Sequence, residues 1–348
     1  MRMIKFPSIE QYRNVVRNVR RKAQFVGLDD NNEPIIDTKA KLPVLDFEGT
    51  VKLHGTNAGV VIDPECTLWA QSRKNIITPE ADNAGFAMFV HNNSEIFRDI
   101  VADSVSVFSE DTNRKDIAIY GEWCGQGIQN GVAICQLPKM FIIFDIALVD
   151  AAGNKEYLPS RDVKDLVSPY WSEEIKTIYS FPTWRIKIDF DQPELSQNEL
   201  NAITEQVEAE CPVGKALGVC GVGEGVVWKC TSPGYTDSGF WFKVKGQEHS
   251  KSKVKTLAKV DVERIQEVKA LAETLAHNGR LEQMHQEVFD TLNGGETDIR
   301  KMGDFIKAVM GDIFKEEADT VAASGFSNKE LGQPVFKICR DFINNKLN

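Results

Sequence analysis

At 348 residues the chain is longer than a single hydrophobic core usually grows, so two domains are expected. Its 42% apolar and 26% charged residues exclude a disordered tail, and no apolar run approaches the length that spans a bilayer. A net charge of −10 excludes a protein that coats nucleic acid indiscriminately, but not one that grips it along a local basic stripe.

The first segment, MRMIKFPSIEQYR, carries no apolar leader. Arg13, Arg17, Arg20, Arg21 and Lys22 then form a basic stripe, which by itself reads as a solvated face. From about 45 to 245 strand-like runs alternate with Gly, Pro and Asp. FEGTVKL, NAGVVID and CTLWAQS are rich in β-branched and aromatic residues, with a turn at Asp63-Pro64-Glu65. AGFAMFVHNNSEIFRDIVADSV and SQNELNAITEQVEAE have helical spacing of apolar residues, while IAIYGEW, FIIFDIALV, EGVVWK and GFWFKVK read as strands. A second basic stripe, Lys243, Lys245, Lys251, Lys253, Lys255 and Lys259, runs into the linker HSKSKVKTLAK. Beyond about 255 strand signals vanish, and DVERIQEVKALAETLAHNG and TDIRKMGDFIKAVMGDIFKEEADTVAASG read as helices broken at Gly279, Gly294–Gly295 and Gly325. This tail holds 16 acidic and 11 basic residues from 260 onward. The change of texture predicts domains at 1–250 and 251–348. The seven cysteines are scattered, with no CxxC pair or zinc spacing, which points to free thiols in a reducing cytosol.

The sharpest chemical signal is VKLHGTN at 51–57. Lys52 follows a strand, and Gly55, Thr56 and Asn57 come after it. A lysine is a nucleophile only as a free amine, which a dry pocket and neighbouring cations favour. The glycine lets backbone approach a ligand without a Cβ in the way. A lone KxxG also describes a surface lysine before an ordinary turn. Here it is followed in order by SRKN at 72–75, YGEWCGQGIQ at 120–129, FIIFDI at 141–146, EGVVWK at 224–229 and FKVK at 242–245.

This order resembles the covalent nucleotidyltransferase superfamily of polynucleotide ligases and capping enzymes. KxHGTN with GExxGxGIQ and FxxFDI looks specifically like the RNA ligase 2 family, the bacteriophage nick-sealing RNA ligases and the RNA-editing ligases of kinetoplastids. The resemblance spans about residues 45–250. It implies an α+β fold: an ATP-grasp-like nucleotidyltransferase domain of antiparallel sheets with flanking helices, at 1–250, and a small all-α RNA-binding domain at 251–348. It implies an ATP-dependent RNA ligase that seals 3′-hydroxyl/5′-phosphate breaks, favouring nicks in duplex RNA, with Mg²⁺ or Mn²⁺.

By the same resemblance Lys52 is the adenylated nucleophile, and Glu122 holds the ribose hydroxyls as a charge-assisted acceptor. Phe144 stacks on adenine, and Glu224 orients Lys52 or binds the metal. Lys243 and Lys245, which share a strand face, contact the α-phosphate. Arg73 holds a phosphate, Asn57 and His54 line the pocket, and Lys251, Lys253 and Lys255 touch RNA. The plainer alternatives are a sheet-edge Glu122, a core Phe144 and an Asp145 that caps a turn or pairs with a lysine. Val51 stands where phage members often carry an acid, the nearest carboxylate being Glu48, and Lys74 has no safe counterpart. RNA is the expected partner, without a membrane, for a monomer in the cytoplasm, including a host's cytoplasm if phage-encoded. A DNA ligase or mRNA guanylyltransferase is the nearest rival, but those show KxDG and append a β-rich OB domain. A non-catalytic RNA-binding protein is the rival of another class, and it would usually have lost the nucleophile or one lysine of FKVK.

Overall fold

A computed structural model describes residues 1–108, 112, 114–246, 261–289 and 295–347. The chain divides into two compact units: Met1–Phe25 with Lys41–Lys259, and Val26–Ala40 with Val260–Asn348. In chain order, β1 (Glu10–Gln11) and α1 (Tyr12–Gln24) precede the hairpin of β2 (Phe25–Leu28) and β3 (Pro34–Ile36). β4 (Val44–Val51), β5 (Thr56–Ile62), β6 (Leu68–Ser72) and β7 (Ile76–Ile77) lead to α2 (Phe86–Asn92) and α3 (Ser94–Ser104). Next come β8 (Asp116–Cys124), β9 (Met140–Val149), β10 (Lys155–Tyr157), α4 (Ser160–Val167), β11 (Ile175–Thr177) and β12 (Thr183–Asp189). α5 (Gln197–Ala209), α6 (Pro212–Ala216), β13 (Gly225–Cys230) and β14 (Trp241–Lys245) follow.

The first unit holds two sheets. One has the order β1-β14-β13-β4-β12, the other β10-β9-β8-β5-β6-β7 with β11 beside β9. Pairing is antiparallel except for β1 on β14 and β11 on β9. The fold is thus the α+β arrangement of antiparallel-rich sheets with flanking helices that was expected. β9 is apolar on both faces because it is covered on both, and only Phe144 in it is more than marginally exposed. β4 and β12 alternate buried and exposed residues, with Leu45, Phe47, Ile186 and Ile188 turned to the core. α5 buries Leu200, Ile203, Thr204 and Val207, a helical stripe, against this same core.

The helical run predicted over 84–105 is two helices. Asn93 separates them: its backbone leaves the helical region at φ −111° and ψ 21°, and its side-chain amide donates to the Phe89 carbonyl.

The second unit adds α7 (Val262–Leu275), α8 (Asn278–Phe289), α9 (Met302–Glu316), α10 (Ala318–Ser324) and α11 (Asn328–Leu347), packed around Ala272, Phe305, Val309, Ile313, Leu331, Val335 and Ile343. Gly325 closes α10 in the left-handed conformation, φ +67°, as a terminating glycine should. Gly279 does not break a helix, against expectation: α8 already contains it. The break falls at Ala276–His277, where His277 Nδ1 accepts from the Arg280 amide at 3.2 Å in the manner of a cap. The linker lysines and Gly294 lie outside the described residues. Among those described, no helix is long and apolar enough to cross a membrane.

Candidate active site

Strand register decides which side chains meet. On the first sheet Gly225, Val227 and Lys229 of β13 stand opposite Lys245, Lys243 and Trp241 of β14, and Val227 and Lys229 also stand opposite Thr50 and Glu48 of β4. Directly opposed residues share a face. The Lys52 amide donates to the Gly225 carbonyl at 2.8 Å, which carries the ladder one residue past β4. Lys52 therefore continues the face of Glu48 and Thr50, and joins Lys229, Lys243 and Lys245 there. The other face carries Phe47, Val226, Phe242 and Val244 into the core.

On the second sheet Asn57 opposes Glu122, and Gly59 opposes both Tyr120 and Gln71. Arg73 lies two residues beyond Gln71. The remainder of that face is a second apolar layer, Val61, Trp69, Ala118 and Tyr120, covered by Ile4 and Phe6 from the start of the chain.

Glu224 gathers the cations. Its side chain is 2% exposed, and its two oxygens accept from Lys52 Nζ and Lys245 Nζ, each at 2.6 Å. His54 Nδ1 lies 3.2 Å from the oxygen bound to Lys52, and Lys52 also reaches the Leu53 carbonyl at 3.3 Å. Burial opposes the charge of Glu224, yet the two lysines outweigh it and hold the carboxyl below its ordinary range. Lys243 donates to the Ile9 carbonyl at 2.9 Å; burial first, then the charges of Lys52, Lys245 and Arg73, make its ammonium form harder to keep. Arg73 is exposed and within 3.4 Å of Ser8 Oγ. Glu122 accepts from the Gly55 amide at 2.9 Å, and burial pushes its carboxyl up to about 7 against the pull of Lys52.

Four of the residues singled out from sequence thus share one carboxylate: Lys52, His54, Glu224 and Lys245. Glu122, Lys243 and Arg73 lie close enough for their charges to act on the same group. Lys251, Lys253 and Lys255 lie outside the described residues. Phe144 occupies a β-bulge: the β8–β9 register pairs Tyr120 with Asp145 and then Gly121 with Ile143, skipping it. Its ring lies 4.9 Å from that of Phe6, and its carbonyl accepts from Tyr179 Oη at 3.0 Å and Lys229 Nζ at 3.1 Å.

The protein's own packing also requires a glycine at position 55. A Cβ there would stand 2.4 Å from the Trp123 carbonyl and 2.8 Å from the Cys124 Cβ, so the close approach is to β8. Gly225 is held at φ +148°, with Val244 carbonyl oxygen 2.2 Å from a Cβ position. These two contacts hold both sides of Lys52 in place.

Sequence reasoning left the partner of Asp145 open. It is Lys229, at 2.6 Å, which also reaches Tyr179 Oη at 3.0 Å. Burial alone would push the Lys229 ammonium down, but Asp145 and Tyr179 hold it up to about 12. This pair ties the first sheet to the second beside the bulge. Its signal was available in part, since Lys229 alternates with Val227 and Gly225. Also missed was the initial segment, whose Phe6 ring stacks 5.9 Å from Trp241 while Ser8 and Ile9 meet Arg73 and Lys243. Backbone carbonyls leave no mark in a sequence. Among the described residues no three potential metal ligands come together, and the seven cysteines are free.

Comparison with known proteins gives one family. A family model described as RNA ligase matches residues 45–245. No curated protein matches the chain. Solved structures similar to it include an RNA ligase mutant of Naegleria gruberi with ATP and Mn, at 17% identity, TM-score 0.43, and coverage of 72% of this chain and 58% of that one. Another is the same organism's RNA ligase with PPi, at 18% identity, TM-score 0.41, and coverage of 72% and 59%. The chain spans less than two thirds of the length of either. With the family model matched over more than half of its residues, the chain belongs to the RNA ligase family.

Proposed function

We propose that the protein is an ATP-dependent RNA ligase of the nick-sealing, RNA ligase 2 type, working through a covalent Lys52–AMP intermediate. The observation that carries this reading is the sharing of buried Glu224 by Lys52 and Lys245 at 2.6 Å each, with Lys243 and Arg73 nearby. Four cations around two carboxylates, Glu224 and Glu122, leave a net positive charge, a donor set suited to a polyphosphate.

In the first step the Lys52 amine, oriented by Glu224, attacks the α-phosphorus as its proton leaves to solvent, a P–N bond forms, and the bond to the β-phosphate breaks to release pyrophosphate. Lys243, Lys245 and Arg73 stabilise the charge on the phosphate oxygens. Glu122 accepts from the ribose hydroxyls, Phe144 faces adenine, and His54 and Asn57 complete the pocket. Of the residues present, Glu224 is the carboxylate that would hold Mg²⁺ or Mn²⁺, which neutralises phosphate charge in such reactions. AMP then passes to the RNA 5′-phosphate, and the adjacent 3′-hydroxyl displaces it. Duplex RNA is favoured over DNA because A-form shape and the 2′-hydroxyl offer recognition. The helical second unit serves RNA binding in this scheme.

The test is covalent labelling. Incubation with ATP labelled at the α-phosphate and Mg²⁺ should leave alkali-stable, acid-labile label on the protein and none on Lys52→Ala. Label retained by that variant would end the assignment.

A further inference from the structure

Helix α1 takes no part in the chemistry above. The helix YRNVVRNVRRKAQ has five basic residues and no acidic one, in a protein of net charge −10. At about 100° per residue, Arg13, Arg17, Arg20 and Arg21 fall within an arc of roughly 100°. All four are exposed. Tyr12, Val15 and Val19 occupy the opposite side and are buried, the Tyr12 ring 5.0 Å from that of Phe242. Lys22, read from sequence with the arginines, belongs to the docking side instead. Its Nζ donates to the Gly234 carbonyl and lies over the rings of Tyr235 and Phe240 at 4.9 and 5.2 Å.

The four arginines hold nothing among the described residues. Among the described residues they make no hydrogen bond and no ion pair, whereas Arg2, Arg98, Arg161, Arg185, Arg264, Arg280, Arg300 and Arg340 are each within 4 Å of a carboxylate. A basic amphipathic helix can also enter a membrane surface or a partner's groove, but both need its apolar face. Here that face is already buried on β14. What remains is a rigid row of forked, permanently charged donors, which matches a polyanion backbone.

α1 begins beside the candidate site: Gln11 stands in register with Lys243, and the Ile9 carbonyl holds the Lys243 ammonium. From there the helix runs back along the unit, with Asn18 on the Gly239 carbonyl and Lys22 on that of Gly234. The arginines thus extend about 12 Å from the site end of the helix, the rise of roughly three phosphates along one strand.

We infer that the Arg13–Arg17–Arg20–Arg21 face of α1 is a phosphate-backbone track for the RNA strand whose end is being joined. The inference rests on the proposed RNA-joining activity, and it places RNA binding in the catalytic unit as well as in the helical one. The track reads no bases, because guanidinium–phosphate contacts fix register without sequence.

The test uses the full-length protein and a fluorescein-labelled nicked RNA duplex. The variant R13Q/R17Q/R20Q/R21Q should keep wild-type lysine labelling, since none of the four touches the nucleotide pocket. It should bind the duplex at least tenfold more weakly at low salt, with a log Kd against log salt slope shallower by about two to three. R17Q/R21Q should lose about half of that slope, which guards against a variant that merely fails to fold. Unchanged affinity and slope with labelling intact would overturn the track and leave the ligase reading standing. Wild-type protein that takes no label would overturn the ligase reading instead. Arginine-dependent binding to phosphatidylserine vesicles, with no change in RNA binding, would assign the face to a membrane and also refute the track.

Discussion

Glu122→Gln offers a test in which stability and activity move in opposite directions. The Glu122 carboxyl is raised from 4.5 to about 7, chiefly by burial, with Glu224 adding to the rise and Lys52, the Gly55 amide and Arg73 opposing it. Between those two pH values the folded protein keeps a proton that the unfolded chain has lost, so stability falls as pH rises through the interval. At about 1.4 kcal/mol per unit, the ionised side chain costs about 3 kcal/mol at pH 8. Glutamine retains an oxygen for the Gly55 amide, which sits at 2.9 Å, and carries no charge to desolvate. The variant should therefore be more stable than wild type at pH 8 by up to about 3 kcal/mol, or about 5–10 °C in Tm for a unit of this size. At pH 4.5, where Glu122 is already neutral, the two should coincide. Lysine labelling should behave inversely: in wild type it should climb with pH through about 7 as the ribose acceptor gains its charge, and in the variant it should lose that step and fall about tenfold. Thermal melts at the two pH values and label incorporation between pH 6 and 8 check both halves. A stability difference that does not change with pH, or a variant weaker than wild type at pH 8, would refute the reasoning.

The glycine that precedes the β5 strand should tolerate no side chain: Gly55→Ala must move a Cβ away from the Trp123 carbonyl at 2.4 Å, at a cost of about 1–3 kcal/mol, visible as a lower denaturant midpoint and weaker labelling. Lys229→Met should strand buried Asp145 and cost about 3–5 kcal/mol, while the double change Lys229→Met/Asp145→Asn should recover most of it in the same titration; a double variant no better than the single would show that the ion pair is not what the lysine contributes.

The parts of the fold that were legible share one property, a hydrophobic pattern, continuous or periodic, within a single segment. FIIFDIALV and IAIYGEW announce themselves because each is a run of β-branched and aromatic residues, and α5 does so through its stripe. The strand β12 went unassigned because TWRIKID fully buries only Ile186 and Ile188, with Trp184 partly buried beside them and Arg185 and Lys187 exposed between. α1 was readable as a charge stripe but not as a helix. Its apolar side is short, and the docking side is completed by polar residues: Asn14 bonds to nearby Glu10, while Asn18 and Lys22 are satisfied by carbonyls far along the chain.

The candidate site was legible for a different reason. Charged side chains in a partly dry cleft need partners, and the residue types that can supply them are few. Lys52, Glu224 and Lys245 are 172 and 21 residues apart; the two lysines share a face once β4, β13 and β14 are adjacent, while Glu224, of the opposite parity with Val226, joins them across the break in extended backbone at Gly225, φ +148°. Parity fails at the bulge. One extra residue at Phe144 turns Asp145 towards the first sheet, and no count along FIIFDI could choose Lys229 as its partner over the lysines of FKVK. The initial segment was illegible altogether, since it acts on Lys243 through a carbonyl that every residue possesses. What a sequence reveals of such a site is therefore its charges. The backbone that aims them becomes visible only when the strands are paired.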